Sequence, residues 1–124
     1  YMAKILLLIV EDEMTLAQMY ETKFRAEGFD IEIAHDGREG IDKMRRDHPS
    51  IVLMDIIMPN FDGLEALRQA KADSKTSAIP IIVLTNISDE KYAKEAIKEG
   101  AAAYVIKSEN TPAQMVELVK NTLK

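Results

Sequence analysis

The sequence contains no cysteine, which excludes disulfide bonds, thiol catalysis and metal sites built from thiolates. Its apolar runs, such as Ile5 to Val10, are far too short to cross a membrane and do not match a secretory signal. The chain also has no excess of positive charge; its formal net charge is −5. An acidic domain repels a phosphate backbone, so we expect no direct nucleic-acid binding, no membrane contact and a cytoplasmic location.

The overall composition is that of one globular domain. The 124 residues are 47% hydrophobic and 30% charged, which is enough to bury a core and to keep the surface solvated. The sequence shows no internal repeat, no low-complexity tract and no linker between domains. We therefore expect a single domain spanning residues 1–124.

Short apolar runs alternate five times with longer amphipathic segments. The run from Lys4 to Val10 is rich in branched residues, as is typical of a strand buried on both faces. The segment from Glu13 to Glu27 then spaces its apolar residues at helical intervals and stops at Gly28. This alternation predicts an α/β sandwich with a parallel sheet between two helical layers, although periodicity does not fix the strand order. The other predicted strands are 31–34, 51–54, 80–84 and 102–106, and the other predicted helices are 37–47, 64–72, 88–99 and 112–123.

Four of the predicted strands end in polar residues, and the carboxyl ends of parallel strands are where open α/β sheets bind their ligands. Carboxylates gathered there repel one another until a proton or a cation relieves the repulsion. Oxygen ligands without histidine or cysteine favour Mg²⁺, and a lysine with a hydroxyl beside it suits the oxygens of a phosphoryl group. A strand-end carboxylate beside Mg²⁺ can itself attack phosphorus. The polar residues in question are Glu11, Asp12, Glu13, Asp55, Thr85, Asn86 and Lys107.

Four segments in this order resemble the receiver domain of two-component response regulators: LLLIVEDE, IVLMDIIMPNFDG, PIIVLTN and GAAAYVIK. The resemblance covers nearly the whole chain. It implies a flavodoxin-like (βα)₅ three-layer sandwich whose parallel five-stranded sheet has the order 2-1-3-4-5. It also implies a phosphoacceptor signalling switch, which is not an enzyme apart from Mg²⁺-dependent self-phosphorylation and self-dephosphorylation.

The resemblance assigns the acidic residues to phosphoryl acceptance and metal binding. Asp55 matches the phosphoacceptor of the family. Asp12 and Asp55 match direct Mg²⁺ ligands, Glu11 matches a ligand that acts through water, and the carbonyl of Ile57 matches the backbone ligand.

The resemblance also assigns the output side of the switch. Thr85 and Lys107 match the groups that bind the phosphoryl oxygens, and Tyr104 matches an aromatic side chain that rotates when the threonine moves. The implied phosphoryl donor is a histidine kinase or a histidine phosphotransfer protein. The implied output is a changed face of helix 4, strand 5 and helix 5, which contacts an unknown effector protein or output domain.

The chain departs from the family pattern at two positions near this site. Ser108 follows Lys107, where the family usually has proline and a cis peptide bond, and a cis bond before a residue other than proline costs about 3–4 kcal/mol. Either that cost is accepted, or the bond is trans and Lys107 is aimed differently. Asn86 replaces a smaller residue, and we expect it to narrow access to Asp55 or to restrict Tyr104.

Two further features bear on partners. Ala102 and Ala103 stand where one DNA-binding subfamily carries acidic residues for dimer salt bridges, which argues against that symmetric dimer. The alanine-rich fifth strand and the face around Tyr92 are candidate partner surfaces, although half-buried packing explains Tyr92 equally well.

Ile57 and Ile87 occupy the two positions that tune the lifetime of the phosphoryl group in the family. Neither side chain can hold an attacking water molecule by hydrogen bonds. We therefore expect slow self-hydrolysis of the phosphorylated chain.

Three less specific interpretations stand beside this one. A phosphatase of the haloacid dehalogenase type also uses a strand-end aspartate, but its second aspartate would fall on Ile57. A degenerate receiver would act unphosphorylated, as a scaffold or dimerisation module. Taken alone, Glu11 and Asp12 could also cap the first helix, as Glu13 is expected to do, and turn chemistry accounts for Asp62.

Overall fold

The five apolar runs of the sequence form one parallel sheet. The computed structural model describes residues 4–58 and 61–124. The sheet has the order β2-β1-β3-β4-β5, which confirms the order 2-1-3-4-5 implied by the family resemblance. Its strands are β1 (Leu6–Val10), β2 (Asp30–Ala34), β3 (Ile51–Asp55), β4 (Ile81–Thr85) and β5 (Ala103–Ile106).

Helices cover both faces of the sheet and complete the predicted three layers. Alternate strand residues belong to two separate cores, because successive side chains of a strand point to opposite faces. Ile9 and Leu53 pack with residues of the first and last helices, whereas Val10 and Met54 pack with residues of the other three. No helix of the described residues is both long and apolar enough to cross a bilayer. The helices are α1 (Met14–Ala26), α2 (Gly37–Asp47), α3 (Gly63–Ala72), α4 (Glu90–Lys98) and α5 (Pro112–Thr122).

Side-chain caps fix the starts of several helices. The Asp36 carboxylate accepts a hydrogen bond from the backbone of α2, and Thr111 forms a capping box with Gln114 at the start of α5. Asp62 accepts from the Leu64 N–H, so α3 begins at Gly63, one residue before its predicted start. A short 3₁₀ turn, Ile87–Asp89, precedes α4, where the sequence predicted a helix over residues 88–99.

The segment after β3 contains a small ribbon that periodicity did not predict. Ile57–Met58 pairs antiparallel with Phe61–Asp62, although the sequence predicts no strand in either segment. Phe61 holds the ribbon against α2, because its ring lies where a Cβ on Gly37 would be. The ribbon thus joins the loop beside Asp55 to the start of α2.

We predict that His48→Gly stabilises the fold. His48 ends α2 in the left-handed region, with φ 46°, and it is exposed. A residue with a Cβ is strained there, whereas glycine is not, so the free energy of unfolding should rise by about 1 kcal/mol after allowing for the greater unfolded-state entropy of glycine. Urea unfolding measures the change. His48→Ala is the control, since alanine keeps the strain; an equal gain in both variants would contradict the explanation.

Candidate functional site

The polar residues predicted at the strand ends meet at one edge of the sheet. Glu11 and Asp12 follow β1, Asp55 ends β3, Thr85 ends β4 and Lys107 follows β5. Strands β1 and β3 are neighbours at the point where the strand order reverses, which is where open α/β sheets bind ligands. These five side chains therefore follow or end strands at the edge where a ligand is expected.

Lys107 joins two buried carboxylates. Its Nζ donates to Glu11 Oε1 and to Asp55 Oδ2, each at 2.8 Å. The side chains of Glu11, Asp55 and Lys107 are only 1%, 10% and 17% exposed. Water screens such a buried cluster poorly, so the two carboxylates and the single ammonium interact much more strongly than a surface ion pair would.

Burial is the largest influence on the pKa of Glu11. It raises the pKa of the Glu11 carboxyl to about 7, assisted by the charge of Asp55 and opposed by the hydrogen bond from Lys107. Burial would lower the pKa of Lys107, but its hydrogen bonds to Asp55 and Glu11 outweigh burial and raise it. Around neutral pH, the cluster therefore keeps a charged ammonium beside a carboxyl group that readily takes up a proton.

This shift predicts a pH-dependent stability in metal-free buffer. The folded-state pKa of Glu11 is about 7 against 4.5 for the unfolded group. Protonation therefore favours the folded state: the stabilisation is complete below pH 4.5 and is lost as pH rises through about 7. We expect a loss on the order of 2 kcal/mol across this window, and a flatter profile for Glu11→Gln. Urea unfolding from pH 5 to 8 measures both, and parallel profiles would contradict the assignment.

The acidic residues form a group that fits a hard divalent cation. Glu11, Asp12 and Asp55 each offer a carboxylate oxygen, and these oxygens lie within 4.8 Å of one another. Asp12 is exposed, whereas the other two are buried, so the group opens to solvent on one side only. Carboxylate oxygens without nitrogen or sulfur donors are the type of ligand that Mg²⁺ prefers. The structure thus brings together the three carboxylates named from the sequence, and their role as metal ligands remains a prediction.

The chain after Asp55 is held close to the site. The Ile57 N–H donates to Asp55 Oδ1 at 3.2 Å, so both carboxylate oxygens of Asp55 have partners. The Gly63 N–H donates to the Ile56 carbonyl at 3.0 Å, and a Cβ on Gly63 would overlap the backbone of Ile56. The ribbon and the start of α3 thus fix the backbone at Ile57, whose carbonyl remains a predicted metal ligand.

Thr85 and Tyr104 lie on neighbouring strands but have separate hydrogen bonds. Thr85 is fully buried, and its hydroxyl donates to the Asn86 carbonyl at 2.9 Å. The half-buried Tyr104 donates its hydroxyl to Glu90 Oε2 at 2.8 Å. This hydrogen bond is the leading cause of a raised Tyr104 pKa. Sequence reasoning missed Glu90, and an acidic residue at the start of a helix offers no signal that a tyrosine will bind it.

The unusual residue after Lys107 does not misdirect the lysine. The described residues contain no cis peptide bond, so the bond between Lys107 and Ser108 is trans. Residues Lys107–Glu109 form a 3₁₀ turn, and Asn110 Nδ2 donates to the Ile106 carbonyl at 2.9 Å. The expectation that a trans bond would aim Lys107 differently is therefore wrong, because the turn still brings its ammonium to Asp55.

Tyr92 lines a cleft beside the ribbon. Tyr92 is 40% exposed, and the cleft has a volume of about 320 Å³. Asn86 is exposed at the start of the 3₁₀ turn, and its expected effect on access to Asp55 remains a prediction. The residues that line the cleft with Tyr92 are Ile56, Ile57, Met58, Phe61 and Asp62.

Comparison with known proteins identifies relatives of regulatory function. The chain is 39% identical over 101 residues to the regulatory protein AtoC of Escherichia coli, covering 82% of this chain and 22% of that protein. It is 36% identical over 101 residues to the response regulator ArlR of Staphylococcus saprophyticus, covering 82% and 44%. The chain therefore spans less than half the length of these two relatives.

Solved structures agree with the sheet order and the helical layers. A receiver domain protein of the CheY-like type from Methanospirillum hungatei has a TM-score of 0.89 at 26% identity, with 98% of this chain and 94% of that chain covered. A response regulator receiver domain protein from Clostridium thermocellum has a TM-score of 0.88 at 26% identity, covering 96% and 94%. The family model described as "Response regulator receiver domain" matches residues 7–120. With nearly its whole length matched, the chain belongs to the response regulator receiver domain family.

Proposed function

We propose that this chain is a signalling switch that accepts a phosphoryl group on Asp55 in a Mg²⁺-dependent reaction. The observation that carries the proposal is the contact of one ammonium, Lys107, with both Asp55 and Glu11 beside the exposed carboxylate of Asp12. A nucleophilic carboxylate, a divalent-cation site and a cation for the phosphoryl oxygens thus occupy one strand edge.

Each residue of the cluster has a role in the proposed reaction. One Asp55 carboxylate oxygen forms a bond to phosphorus, while the bond from phosphorus to the donor atom breaks and its electron pair leaves with the donor. Lys107, whose Nζ lies 2.8 Å from Asp55 Oδ2, would bind a phosphoryl oxygen instead. Asp12, Asp55 and the Ile57 carbonyl would hold Mg²⁺ directly and Glu11 through water, and the bound cation would neutralise negative charge during transfer.

The proposed output begins at Thr85. Its hydroxyl, which donates to the Asn86 carbonyl, would turn to donate to a phosphoryl oxygen. Tyr104 would follow this movement and leave Glu90, which would change the surface made by α4, β5 and α5. The exposed Ala102 directly precedes β5. The partners that we propose are a histidine kinase or histidine phosphotransfer protein as donor, and an effector protein or output domain on the changed surface.

Intact-protein mass after incubation with acetyl phosphate tests the proposal. We expect one Mg²⁺-dependent phosphoryl adduct, which is absent when Mg²⁺ is withheld and absent in Asp55→Asn. Asp42→Asn, at an exposed position of α2, is the matched control and should form the adduct normally. A folded parent protein without an adduct would favour the degenerate receiver, whereas steady turnover of a phosphomonoester would favour the phosphatase.

A slow loss of the phosphoryl group is a further prediction of the site. Ile57 and Ile87 are 47% and 61% exposed, and neither side chain can hydrogen-bond an attacking water molecule. Replacing Ile87 with glutamate should accelerate hydrolysis, because a carboxylate can accept a proton from water. The measurement is decay of the adduct after the phosphodonor is removed, with Ile97→Glu as the exposed control. Complete loss from the parent protein within seconds would contradict the prediction.

A further inference from the structure

Asn110 closes the turn that follows β5, and the proposed reaction gives it no role. Residues Lys107–Glu109 form a single 3₁₀ turn, and Asn110 follows this turn in an extended conformation, with φ −134° and ψ 128°. The half-buried side chain of Asn110 reaches back across the turn, where its Nδ2 donates to the Ile106 carbonyl at 2.9 Å. The side chains of Ser108 and Glu109, in contrast, are exposed.

The accepting carbonyl belongs to the peptide unit that leads into Lys107. Because a peptide unit is planar, a hydrogen bond to the Ile106 carbonyl also fixes the direction of the bond from Lys107 N to its Cα. Ile106 is buried and is the last residue of β5, so the sheet already holds the other end of this unit. The amide of Asn110 therefore restricts the rotation that would carry Lys107 and its ammonium away from the strand edge.

The turn has few local constraints of its own. Hydrogen bonds within a 3₁₀ turn have poorer geometry than those of an α-helix. Ser108 leaves its own φ free, whereas a proline there would restrict it. Within residues 4–58 and 61–124, the bond from Asn110 is the only side-chain hydrogen bond to the backbone of residues 106–109. The amide of Asn110 thus supplies a constraint that the turn residues do not.

The function of Lys107 demands an accurate placement of its backbone. Its Nζ makes two hydrogen bonds of 2.8 Å at once, to Glu11 Oε1 after β1 and to Asp55 Oδ2 at the end of β3. A lysine side chain is a flexible stem that bears a point charge, so the side chain alone does not fix the position of the ammonium. The position of the Lys107 Cα therefore decides how readily both contacts form together.

We propose that Asn110 is a positioning residue for Lys107, because its amide holds the turn in the conformation that brings the ammonium to Asp55 and Glu11. The inference rests on the proposed function, since the place of the ammonium affects phosphoryl transfer only if Asp55 is the acceptor. Asn110 touches neither the phosphoryl group nor the metal in this scheme and acts through Lys107 alone.

A double-mutant cycle on the phosphorylation rate tests this role. Asn110→Ala removes the amide and should slow adduct formation from acetyl phosphate at saturating Mg²⁺ roughly three- to tenfold. Asn110→Leu keeps the side-chain volume without a donor and should slow it equally. In a Lys107→Met background, Asn110→Ala should have no effect. Asn121→Ala, at an exposed position of α5, is the matched control and should react normally. A normal rate in either Asn110 variant, or an equal loss in both backgrounds, would overturn the inference.

The affinity for Mg²⁺ distinguishes a misplaced ammonium from general damage to the turn. An ammonium that is held less firmly beside the carboxylates competes less with the cation, so Asn110→Ala should bind Mg²⁺ about two- to threefold more tightly than the parent protein. The same change should not alter the affinity of Lys107→Met. Calorimetric titration measures both, and weaker or unchanged binding on Asn110→Ala in the parent chain would contradict the role.

Urea unfolding without Mg²⁺ separates this inference from the proposed function. The urea midpoint should fall on Asn110→Ala in the parent chain and fall clearly less on the same change in Lys107→Met, because only the parent has ion pairs of Lys107 to lose. If the parent protein forms no adduct, the proposed function fails, and the urea cycle alone decides whether Asn110 places the ammonium. If the adduct forms normally but the two changes act independently on the rate and on the midpoint, the proposed function stands and the role of Asn110 does not.

Discussion

Replacing Lys107 with methionine is expected to slow phosphorylation of Asp55 roughly 100-fold, the usual cost of losing one charge-stabilising group. The same variant should bind Mg²⁺ about tenfold more tightly or better, because a positive charge no longer competes for the carboxylates. These opposite effects follow from the same contact, since Lys107 Nζ lies 2.8 Å from both Glu11 Oε1 and Asp55 Oδ2. Methionine keeps much of the length of the side chain but has no charge.

Two measurements check this prediction separately. Intact-protein mass gives the rate of adduct formation from acetyl phosphate at saturating Mg²⁺, and calorimetric titration gives the Mg²⁺ affinity. Lys98→Met is the control, because Lys98 is 79% exposed and its nearest carboxylate, Glu95, is 3.9 Å away. Weaker Mg²⁺ binding in the Lys107 variant would show that the ammonium does not compete with the cation. An unchanged rate would show that it does not assist transfer.

The two ion pairs of Lys107 explain why the acidic edge of the sheet does not prevent folding. Without the ammonium, the carboxylates of Glu11 and Asp55 would face each other in a buried place, which is strongly unfavourable. The raised pKa of Glu11 provides a second relief, because its carboxyl group can bind a proton near neutral pH. A divalent cation would replace both the ammonium and the proton as the neutralising charge. The stability of the fold and the ability of the site to bind a cation therefore depend on the same charges.

The fold and much of the site could be predicted because buried strands leave a clear signal. Each apolar run had to end where the sheet ends, so the polar residues that follow the runs could be predicted to meet at one edge. Asp55 and Lys107 are 52 residues apart in sequence and still meet, since parallel strands carry their carboxyl ends to the same place. The strand order came from the family resemblance and not from periodicity, which describes each segment alone.

Contacts that depend on tertiary geometry could not be predicted. The sequence gives no sign that Tyr104 donates to Glu90, or that Phe61 lies over Gly37, because neither pair has a fixed spacing. The residue after Lys107 suggested a choice between a cis bond and a misdirected lysine. Instead, the bond is trans and a 3₁₀ turn over Lys107–Glu109 directs the lysine to Asp55. The preference of a single peptide bond for cis or trans does not predict such a turn.

Replacing Gly63 with alanine is the second change expected to have a large effect. A Cβ at this position would overlap the carbonyl oxygen and Cα of Ile56, which are backbone atoms and cannot rotate away. The start of α3 and the chain at Ile57 would have to separate, which would cost on the order of 2–4 kcal/mol of unfolding free energy. Because Ile57 N–H also donates to Asp55, phosphorylation should become slower in molecules that remain folded.

Gly28→Ala is the matched control, because it separates backbone strain from crowding at the site. Gly28 has φ +95°, and a Cβ on it would meet no other atom within 4 Å. Alanine there should therefore lower the free energy of unfolding by about 1 kcal/mol through backbone strain alone. Its phosphorylation rate should equal that of the parent protein. Urea unfolding and the rate of adduct formation, measured on both variants, distinguish the cases. Equal stability losses with normal phosphorylation in both would mean that the close approach of Gly63 to Ile56 does not hold the Asp55 loop in place.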